Sequence, residues 1–306
     1  MKGLDLAKKY WEEVGRPAFL EACPEILDCA AIGLAGEGSE CFGYDDEISR
    51  DHDWGPGFCI WLTKENFEKY GRKAASVYQS LPETFLGYRR LRVSEMTEGR
   101  VGVLEIDDFF RKFLGTAELP QTVLDWRRLP EEGLTMVTNG AVFLDTDGEF
   151  TRRREALSAY YPEDLRLKKL ARSLALAGQS GQYNYYRIMR RGDQVAANIA
   201  LTEYIRLVQS AVFQLNRKYK PYYKWSQRAL RDLPLLGREI STRLEALVAG
   251  PPPHAETIED IASILIDELR REELTDSDSD FLTDHAFRVQ SHISDPVLAG
   301  MHVMAE

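Results

Sequence analysis

The sequence predicts an α+β protein in which a sheet domain precedes an all-helical C-terminal domain. Up to about residue 150, short apolar runs typical of strands alternate with helices and turns. From about Pro162 onward, the apolar residues recur with helical spacing instead. A glycine-rich turn directly follows the first predicted strand, which favours a sheet domain of β-α-β texture. We therefore expect two domains, at residues 1–155 and 156–306.

Hydrophobic periodicity places the elements of the first half. Near the N-terminus, apolar residues recur among charged ones with the spacing of a helix. Further along, short apolar runs bounded by charged residues or turns indicate strands. In chain order we expect a helix at 4–14, strands at 29–35 and 58–62, a helix at 64–80 and a strand at 101–106.

The second half shows helical periodicity throughout. An amphipathic run begins at Leu165, and Gly178 is expected to end it, because glycine favours helix C-termini. A long helix with an apolar face is expected at 194–215, followed by helices near 235–248 and 258–273. The last of these helices opens with a variant of the capping box at residues 257–260.

Composition and charge exclude several classes of protein. Hydrophobic residues make up 44% and charged residues 29% of the chain, which excludes intrinsic disorder over most of its length. The net charge of −10 repels a phosphate backbone at long range, which argues against a nucleic-acid coating protein but leaves a local basic pocket open. No apolar run approaches the roughly 18 residues of a membrane span, and no signal peptide is evident. We therefore expect a cytoplasmic protein, with its four cysteines as free thiols.

The glycine-rich turn after the first strand is the stretch that carries chemistry. The dinucleotide fingerprint GxGxxG would require glycine at position 41, where the chain has Cys41. A P-loop would require lysine after its last glycine, where the chain has Ser39 and then Glu40. The stretch instead shows a third pattern: a strand, the pair Gly38-Ser39, a spacer, and the acidic motif at residues 51–53.

This spacing suits a nucleotide bound together with divalent cations. Gly38 can bring backbone N–H groups close to a triphosphate, and the Ser39 hydroxyl can bond its terminal phosphates. Asp51 and Asp53 are two residues apart, so on a strand their carboxylates share a face, where paired oxygens suit Mg²⁺. Two such ions would clamp the attacking and leaving oxygens of a phosphoryl transfer. A surface loop with solvated acidic side chains would show the same bare pattern.

A third carboxylate is expected from a neighbouring strand. Glu105 is the candidate, because it shares a face with Val101 and Val103 in the predicted strand. Asp107, two residues further along, would point to the same face and is the alternative.

The helical half offers cations for the nucleotide. Asn184, Arg187 and Arg191 follow the i, i+3, i+7 spacing of one helix face, and neighbouring tyrosines could stack on a base. A solvated basic face with core tyrosines would give the same pattern. In residues 216–225 every side chain except Asn216 and Pro221 is cationic or aromatic, and we expect phosphate or substrate contacts there. Lys218 and Lys224 are the predicted contacts, and Glu203 is one possible general base.

These motifs resemble the nucleotidyltransferase superfamily, which has the DNA polymerase β-like fold, and most closely its bacterial DUF4037 family. The resemblance covers roughly residues 25–235. It implies a polymerase β-like nucleotidyltransferase domain followed by a helical domain that completes the substrate cleft, as in aminoglycoside nucleotidyltransferases. The motifs that carry it are Gly38-Ser39-Glu40, Ser49-Arg50-Asp51-His52-Asp53, Gln182-Tyr183-Asn184-Tyr185, Leu215-Asn216-Arg217-Lys218-Tyr219 and Pro221-Tyr222-Tyr223-Lys224-Trp225.

The resemblance implies an Mg²⁺-dependent enzyme that moves a nucleoside monophosphate from an NTP such as ATP to a hydroxyl, with release of pyrophosphate. A small molecule or a protein is the expected acceptor, and the acidic charge argues against a nucleic-acid end. The alternatives are a catalytically silent nucleotide-binding protein and a toxin–antitoxin-type interaction protein of the same fold. The expected metal ligands are Asp51, Asp53 and Glu105, and the expected nucleotide contacts are Gly38, Ser39, Asn184, Arg191, Lys218 and Lys224.

Overall fold

The computed structural model describes residues 1–51, 54–90, 99–250, 252 and 254–305, with Asp51 described by its backbone alone. The chain divides into two compact units. Unit 1 comprises Met1–Pro120 and Leu129–Ala159, and unit 2 comprises Gln121–Arg128 and Tyr160–Glu306. The short segment Gln121–Arg128 therefore belongs to unit 2, although residues of unit 1 flank it on both sides in the sequence.

Unit 1 contains a four-stranded sheet and a separate two-stranded hairpin. The strands are β1 (Ala30–Leu34), β2 (Cys59–Leu62), β3 (Thr84–Phe85), β4 (Tyr88–Arg89), β5 (Gly102–Glu105) and β6 (Ala141–Asp145). The order in the larger sheet is β5-β2-β1-β6, and β3 pairs with β4 in the hairpin. β1 runs antiparallel to β2 and β6, and β2 runs parallel to β5.

Side chains of alternate residues in β2 enter two different packing clusters of unit 1. Ile60 packs in a cluster with Tyr10 and Phe58, whereas the Trp61 ring stacks on Phe150 with centroids 4.0 Å apart. Successive side chains of a strand point to opposite faces, so apolar groups cover both faces of β2 and the strand is buried throughout. The helices of unit 1 are α1 (Gly3–Tyr10), α2 (Arg16–Ala22), α3 (Ile26–Cys29), α4 (Lys64–Ser80), α5 (Ile106–Leu114), α7 (Glu131–Thr138) and α8 (Glu149–Ser158).

Unit 2 is helical over its described residues. Helix α9 (Glu163–Ala177) packs against α11 (Gln194–Leu215) and α15 (Leu282–Ser291). The Leu170 and Leu174 side chains of α9 are buried completely. Within the described residues no helix has the length and apolar character needed to cross a membrane. The helices of unit 2 are α6 (Val123–Arg128), α9 (Glu163–Ala177), α10 (Tyr186–Arg190), α11 (Gln194–Leu215), α12 (Tyr223–Arg231), α13 (Gly237–Ala249), α14 (Ala255–Arg271), α15 (Leu282–Ser291) and α16 (Pro296–Ala299).

The mixed α and β class expected from the sequence is confirmed, and two predicted helices match closely. Helix α4 spans residues 64–80 and α11 spans 194–215, as predicted. The predicted helix at 4–14 is present, but α1 ends at Tyr10 and a π-helical segment, Trp11–Gly15, continues the chain into α2. The sequence did not predict β6 or α5; α5 begins at Ile106, directly after β5.

The α-helix α9 ends at Ala177, and its C-cap residue is Gly178, the glycine that was expected to end it. The backbone of Gly178 stays helical, with φ −56° and ψ −45°, and the chain continues into a π-helical segment, Gly178–Tyr185, and then into α10. A Cβ atom at position 178 would lie 2.6 Å from Oγ1 of Thr283, so close packing against the start of α15 requires glycine there.

Candidate functional site

One edge of the larger sheet carries the glycine turn, which belongs to the long connection between β1 and β2. β1 ends at this edge and β2, β5 and β6 begin there, because Gly33 pairs with Cys59 and Cys59 pairs with Gly102. We call it the turn edge. The glycine turn (residues 36–43) leaves β1 at the turn edge, and the chain returns to it after residue 53 to begin β2.

The glycine turn offers three successive backbone N–H groups to a ligand. The N–H groups of Glu37, Gly38 and Ser39 donate no hydrogen bond to a described residue, while the N–H of Cys41 donates to the Gly38 carbonyl at 3.2 Å. This is the arrangement of a first helical turn, where N–H groups remain available to an anion. Gly38 has φ +115°, a region that favours glycine. The turn can therefore bring its backbone close to a phosphate.

Two residues that the sequence reasoning missed fix the glycine turn to the start of β6. The Asn139 side chain accepts a hydrogen bond from the Gly36 N–H and donates one to the Gly36 carbonyl, both at 2.8 Å. Arg154 in turn donates to the Asn139 carbonyl at 2.7 Å. Burial lowers the pKa of Arg154 to about 10. No spacing in the sequence could indicate the Gly36–Asn139 contact, because 103 positions separate the two residues.

A buried ion pair lies beside Gly38. Nη2 of Arg100 is 2.5 Å from Oε1 of Glu40, and the two side chains are 9% and 8% exposed. Burial raises the pKa of Glu40, and the nearby Arg100 opposes that effect. A Cβ atom at position 38 would lie 2.3 Å from Nη2 of Arg100. With the ion pair in this position, there is no room for a side chain at residue 38.

Asp45 anchors the chain close to the acidic motif. Its buried carboxylate accepts hydrogen bonds from the Gly3 N–H at 2.7 Å and from Nε1 of Trp54 at 3.2 Å. The Arg50 guanidinium lies 5.3 Å from the centre of the Trp54 ring. Arg50 and Trp54, which flank residues 51–53 in the sequence, therefore contact each other.

Asp51 is not in a strand, contrary to the expectation. It ends a 3₁₀-helix, Ile48–Asp51, and β2 begins only at Cys59. The intervening residues 55–57 are Gly-Pro-Gly, which disfavours pairing in a sheet. The Asp51 side chain, and His52 and Asp53 entirely, lie outside the described residues. Metal binding by Asp51 and Asp53 stays a prediction.

The structure does not bring Glu105 together with the glycine turn. Glu105 pairs with Leu62, so it lies at the end of β2 and β5 opposite the turn edge. Burial and the carboxylates of Asp108 and Asp107 raise its pKa. Alternation along a strand fixes the face of a side chain but not the end of the strand at which a site lies, so the sequence could not indicate this position. Metal binding by Glu105 stays a prediction. Asp107 lies in α5, where its carboxylate is 2.7 Å from the Arg153 guanidinium.

The donor set for a metal ion is incomplete in the described part of the chain. No three His, Cys, Asp or Glu side chains of the described residues are grouped so that they could hold a metal ion. A fit of Mg²⁺ at the turn edge therefore depends on Asp51 and Asp53.

Asn184, Arg187 and Arg191, which the sequence placed on one helix face, do not share one α-helical face. Asn184 is half-buried in the π-helical segment, and Arg191 is exposed just after α10. The wider turns of the π-helix break the 3.6-residue periodicity between these positions. Arg187 is exposed, with its guanidinium 4.7 Å from the centre of the Tyr183 ring.

Several residues of the 216–225 block have structural contacts. The Asn216 side chain donates to the Leu235 carbonyl at 2.9 Å and accepts from the Leu235 N–H at 3.0 Å. Nζ of Lys220 donates to the Ser210 hydroxyl of α11 at 2.6 Å. Lys218 and Lys224, the predicted phosphate contacts, are exposed.

Comparison with known proteins supports the resemblance over part of the chain. Residues 126–226, about one third of the chain, match the model of a family described as Domain of unknown function (DUF4037). The solved structure of a nucleotidyltransferase-like protein from Exiguobacterium sibiricum 255-15 is similar at 13% identity and a TM-score of 0.36, covering 92% of this chain and 79% of that one. No curated protein matches significantly. The resemblance to the DUF4037 family is therefore confirmed over residues 126–226.

Proposed function

We propose that this protein is an Mg²⁺-dependent nucleotidyltransferase. It moves a nucleoside monophosphate from an NTP to a hydroxyl of a small-molecule or protein acceptor and releases pyrophosphate. The observation that carries the proposal is the glycine turn at the turn edge, in the same connection between β1 and β2 that contains the acidic motif in the sequence. A turn with available N–H groups suits the phosphates of the donor, and neighbouring carboxylates suit the cation that accompanies them.

In this proposal the glycine turn holds the donor's phosphates. The N–H groups of Glu37, Gly38 and Ser39 bind the β- and γ-phosphate oxygens, and the Ser39 hydroxyl adds a further hydrogen bond. Lys112, whose Nζ lies 2.9 Å from the Glu37 carboxylate, supplies positive charge beside the turn. Asn139 keeps the turn in place through its two hydrogen bonds to Gly36.

Asp51 and Asp53 would hold Mg²⁺, which neutralises phosphate charge and stabilises the leaving pyrophosphate when bound. Asp45 positions their segment through the hydrogen bond to Trp54. Contacts of Asn184, Arg191, Lys218 and Lys224 with the nucleotide stay a prediction from the sequence.

A second candidate function is nucleotide binding without transfer. It is favoured by the position of Glu105 away from the turn edge. In that case the glycine turn binds the nucleotide, and no pyrophosphate is released.

The deciding experiment measures thermal stabilisation by each NTP, with and without Mg²⁺. Ligands that bind only the folded protein raise its melting temperature by mass action, by about 2.7 kcal/mol of stability at 100 times Kd. We expect one NTP to raise the melting temperature in the presence of Mg²⁺, and the Asp51→Ala/Asp53→Ala variant to lose this effect. Release of pyrophosphate on adding candidate acceptors then separates transfer from binding alone.

The matched control is Asp276→Ala/Asp278→Ala, which removes an exposed pair of aspartates with the same spacing. The control should respond to the NTP as the wild type does. A wild type that no NTP stabilises, or an equal response in both double variants, would rule out the proposed site.

A further inference from the structure

A surface of unit 2 presents two exposed tyrosines and three arginines within nine residues of chain. Tyr183 and Tyr186 are 51% and 50% exposed. The Arg187 guanidinium lies 4.7 Å from the centre of the Tyr183 ring, and the Arg190 guanidinium lies 5.8 Å from that of Tyr186. Arg191 follows at the end of α10 and is also exposed. We call these five residues the Tyr–Arg surface.

The arginines of the Tyr–Arg surface differ from others in unit 2. None of the three pairs with a carboxylate among the residues that the structure describes. The nearest acid in the sequence, Asp193, caps α11 by accepting from the Ala196 N–H at 3.0 Å. Three other arginines of this unit are ion-paired: Arg206 with Glu203, Arg231 with Glu245 and Arg243 with Glu239. The Tyr–Arg surface is therefore a positive patch whose charge no described carboxylate neutralises.

We propose that the Tyr–Arg surface binds a single-stranded nucleic acid. Each tyrosine–arginine pair offers a planar π surface and a cation together, and a nucleotide presents the matching base face and phosphate. An acidic peptide would use the cations but would leave the two exposed rings without a role. A duplex hides its base faces, so the surface selects single strands.

The net charge of −10 does not oppose a local site of this kind. Long-range repulsion lowers the rate of encounter, whereas affinity depends on the few phosphates that touch cations and on the bases that stack. We therefore expect one short binding segment on this surface and no coating of long nucleic acids. The proposal goes beyond the transferase activity, whose phosphate site is the glycine turn in unit 1; of the five surface residues only Arg191 is also a predicted contact to the donor nucleotide, and the variants below leave Arg191 unchanged.

The test is fluorescence anisotropy of a labelled, unstructured 15-nucleotide RNA, with the DNA of the same sequence, its duplex and polyglutamate as competitors. The Tyr183→Ala/Tyr186→Ala variant should bind the RNA at least ~10-fold more weakly, because each stacked base contributes about 1–3 kcal/mol. The Arg187→Gln/Arg190→Gln variant should weaken binding and reduce the salt dependence, with a log–log slope smaller by about 1.4.

The matched control is Arg270→Gln/Phe287→Ala, which removes one exposed cation and one exposed ring elsewhere on unit 2. The control should bind like the wild type, and both single strands should compete better than the duplex. Three results would overturn the proposal: no binding by the wild type at low salt, unchanged binding by the tyrosine variant, or polyglutamate competing as well as the oligonucleotide.

Discussion

At the scale of single residues, Gly38 combines a backbone constraint with a steric one. Its φ of +115° disfavours any side chain, and a Cβ atom there would meet the buried Arg100–Glu40 pair. We expect Gly38→Ala to lower the free energy of unfolding by about 3 kcal/mol in urea titrations. The variant should also lose stabilisation by the NTP, because the same backbone offers the N–H groups.

Gly43 provides the matched control for this substitution. Its φ is +71°, but a Cβ atom at position 43 would have no atom of a described residue within 4 Å, its two chain neighbours aside. Gly43→Ala should therefore cost only about 1 kcal/mol and keep the response to the NTP. Equal losses in both variants would show that contact with the ion pair contributes nothing.

The Arg100–Glu40 pair should behave as a buried charge pair. Removing one partner leaves the other charged and desolvated, so we expect Arg100→Met to destabilise the protein by about 3–5 kcal/mol. The double variant Arg100→Met/Glu40→Leu should recover most of that loss, because no isolated charge remains. A double-mutant cycle in urea measures the coupling, and simple additivity of the two single effects would contradict a buried pair.

At the scale of elements, a buried lysine ties the end of the chain to α9. Nζ of Lys168 donates to the Gln290 side chain at 3.1 Å, to the His302 carbonyl at 2.7 Å and to the Val303 carbonyl at 3.1 Å. The residue is only 2% exposed. Because all three acceptors lie beyond residue 289, one side chain of α9 holds both α15 and the C-terminal segment.

The burial of Lys168 predicts a dependence of stability on pH. Burial lowers its pKa to about 8, with added effects of Arg172 and Arg127, whereas an unfolded lysine titrates near ~10.4. Between these values the unfolded state binds more protons, so the contribution of Lys168 to stability rises with pH. The wild type should gain up to about 3 kcal/mol relative to Lys168→Met between pH 7 and pH 10.5 in urea titrations. Parallel pH profiles for the two proteins would contradict this.

The sequence predicts elements better than it predicts where their ends meet. Apolar runs located β1, β2 and β5, and helical periodicity located α4 and α11, because burial of one face leaves a local pattern. The sequence could not show that Glu105 lies away from the turn edge, because the order and register of strands depend on non-local pairing. The contact between Asn139 and Gly36 also depends on strand pairing between distant parts of the chain, so no local pattern indicates it.

At the scale of the whole molecule, unit 2 is discontinuous in the sequence. Helix α6 belongs to unit 2, although it lies in the sequence between two parts of unit 1. The Trp126 ring of α6 lies edge-on to the Tyr161 ring, with ring centroids 6.0 Å apart. Tyr161 also contacts the ring of Tyr219, at 5.0 Å. A single boundary such as the one predicted at residue 155 therefore separates α6 from the aromatic cluster that it contacts.

This discontinuity predicts how fragments of unit 2 behave. A fragment of residues 160–306 should melt at least ~2–4 °C lower than the same fragment carrying residues 121–128 fused in front through a flexible linker, because an aromatic pair contributes about 1 kcal/mol beyond its buried area. Circular dichroism melting curves provide the comparison. Trp126→Ala in the fused fragment is the matched control and should return the melting temperature to that of residues 160–306 alone. Identical melting of all three fragments would mean that α6 adds no stability to unit 2, and that its position there follows only from the path of the chain.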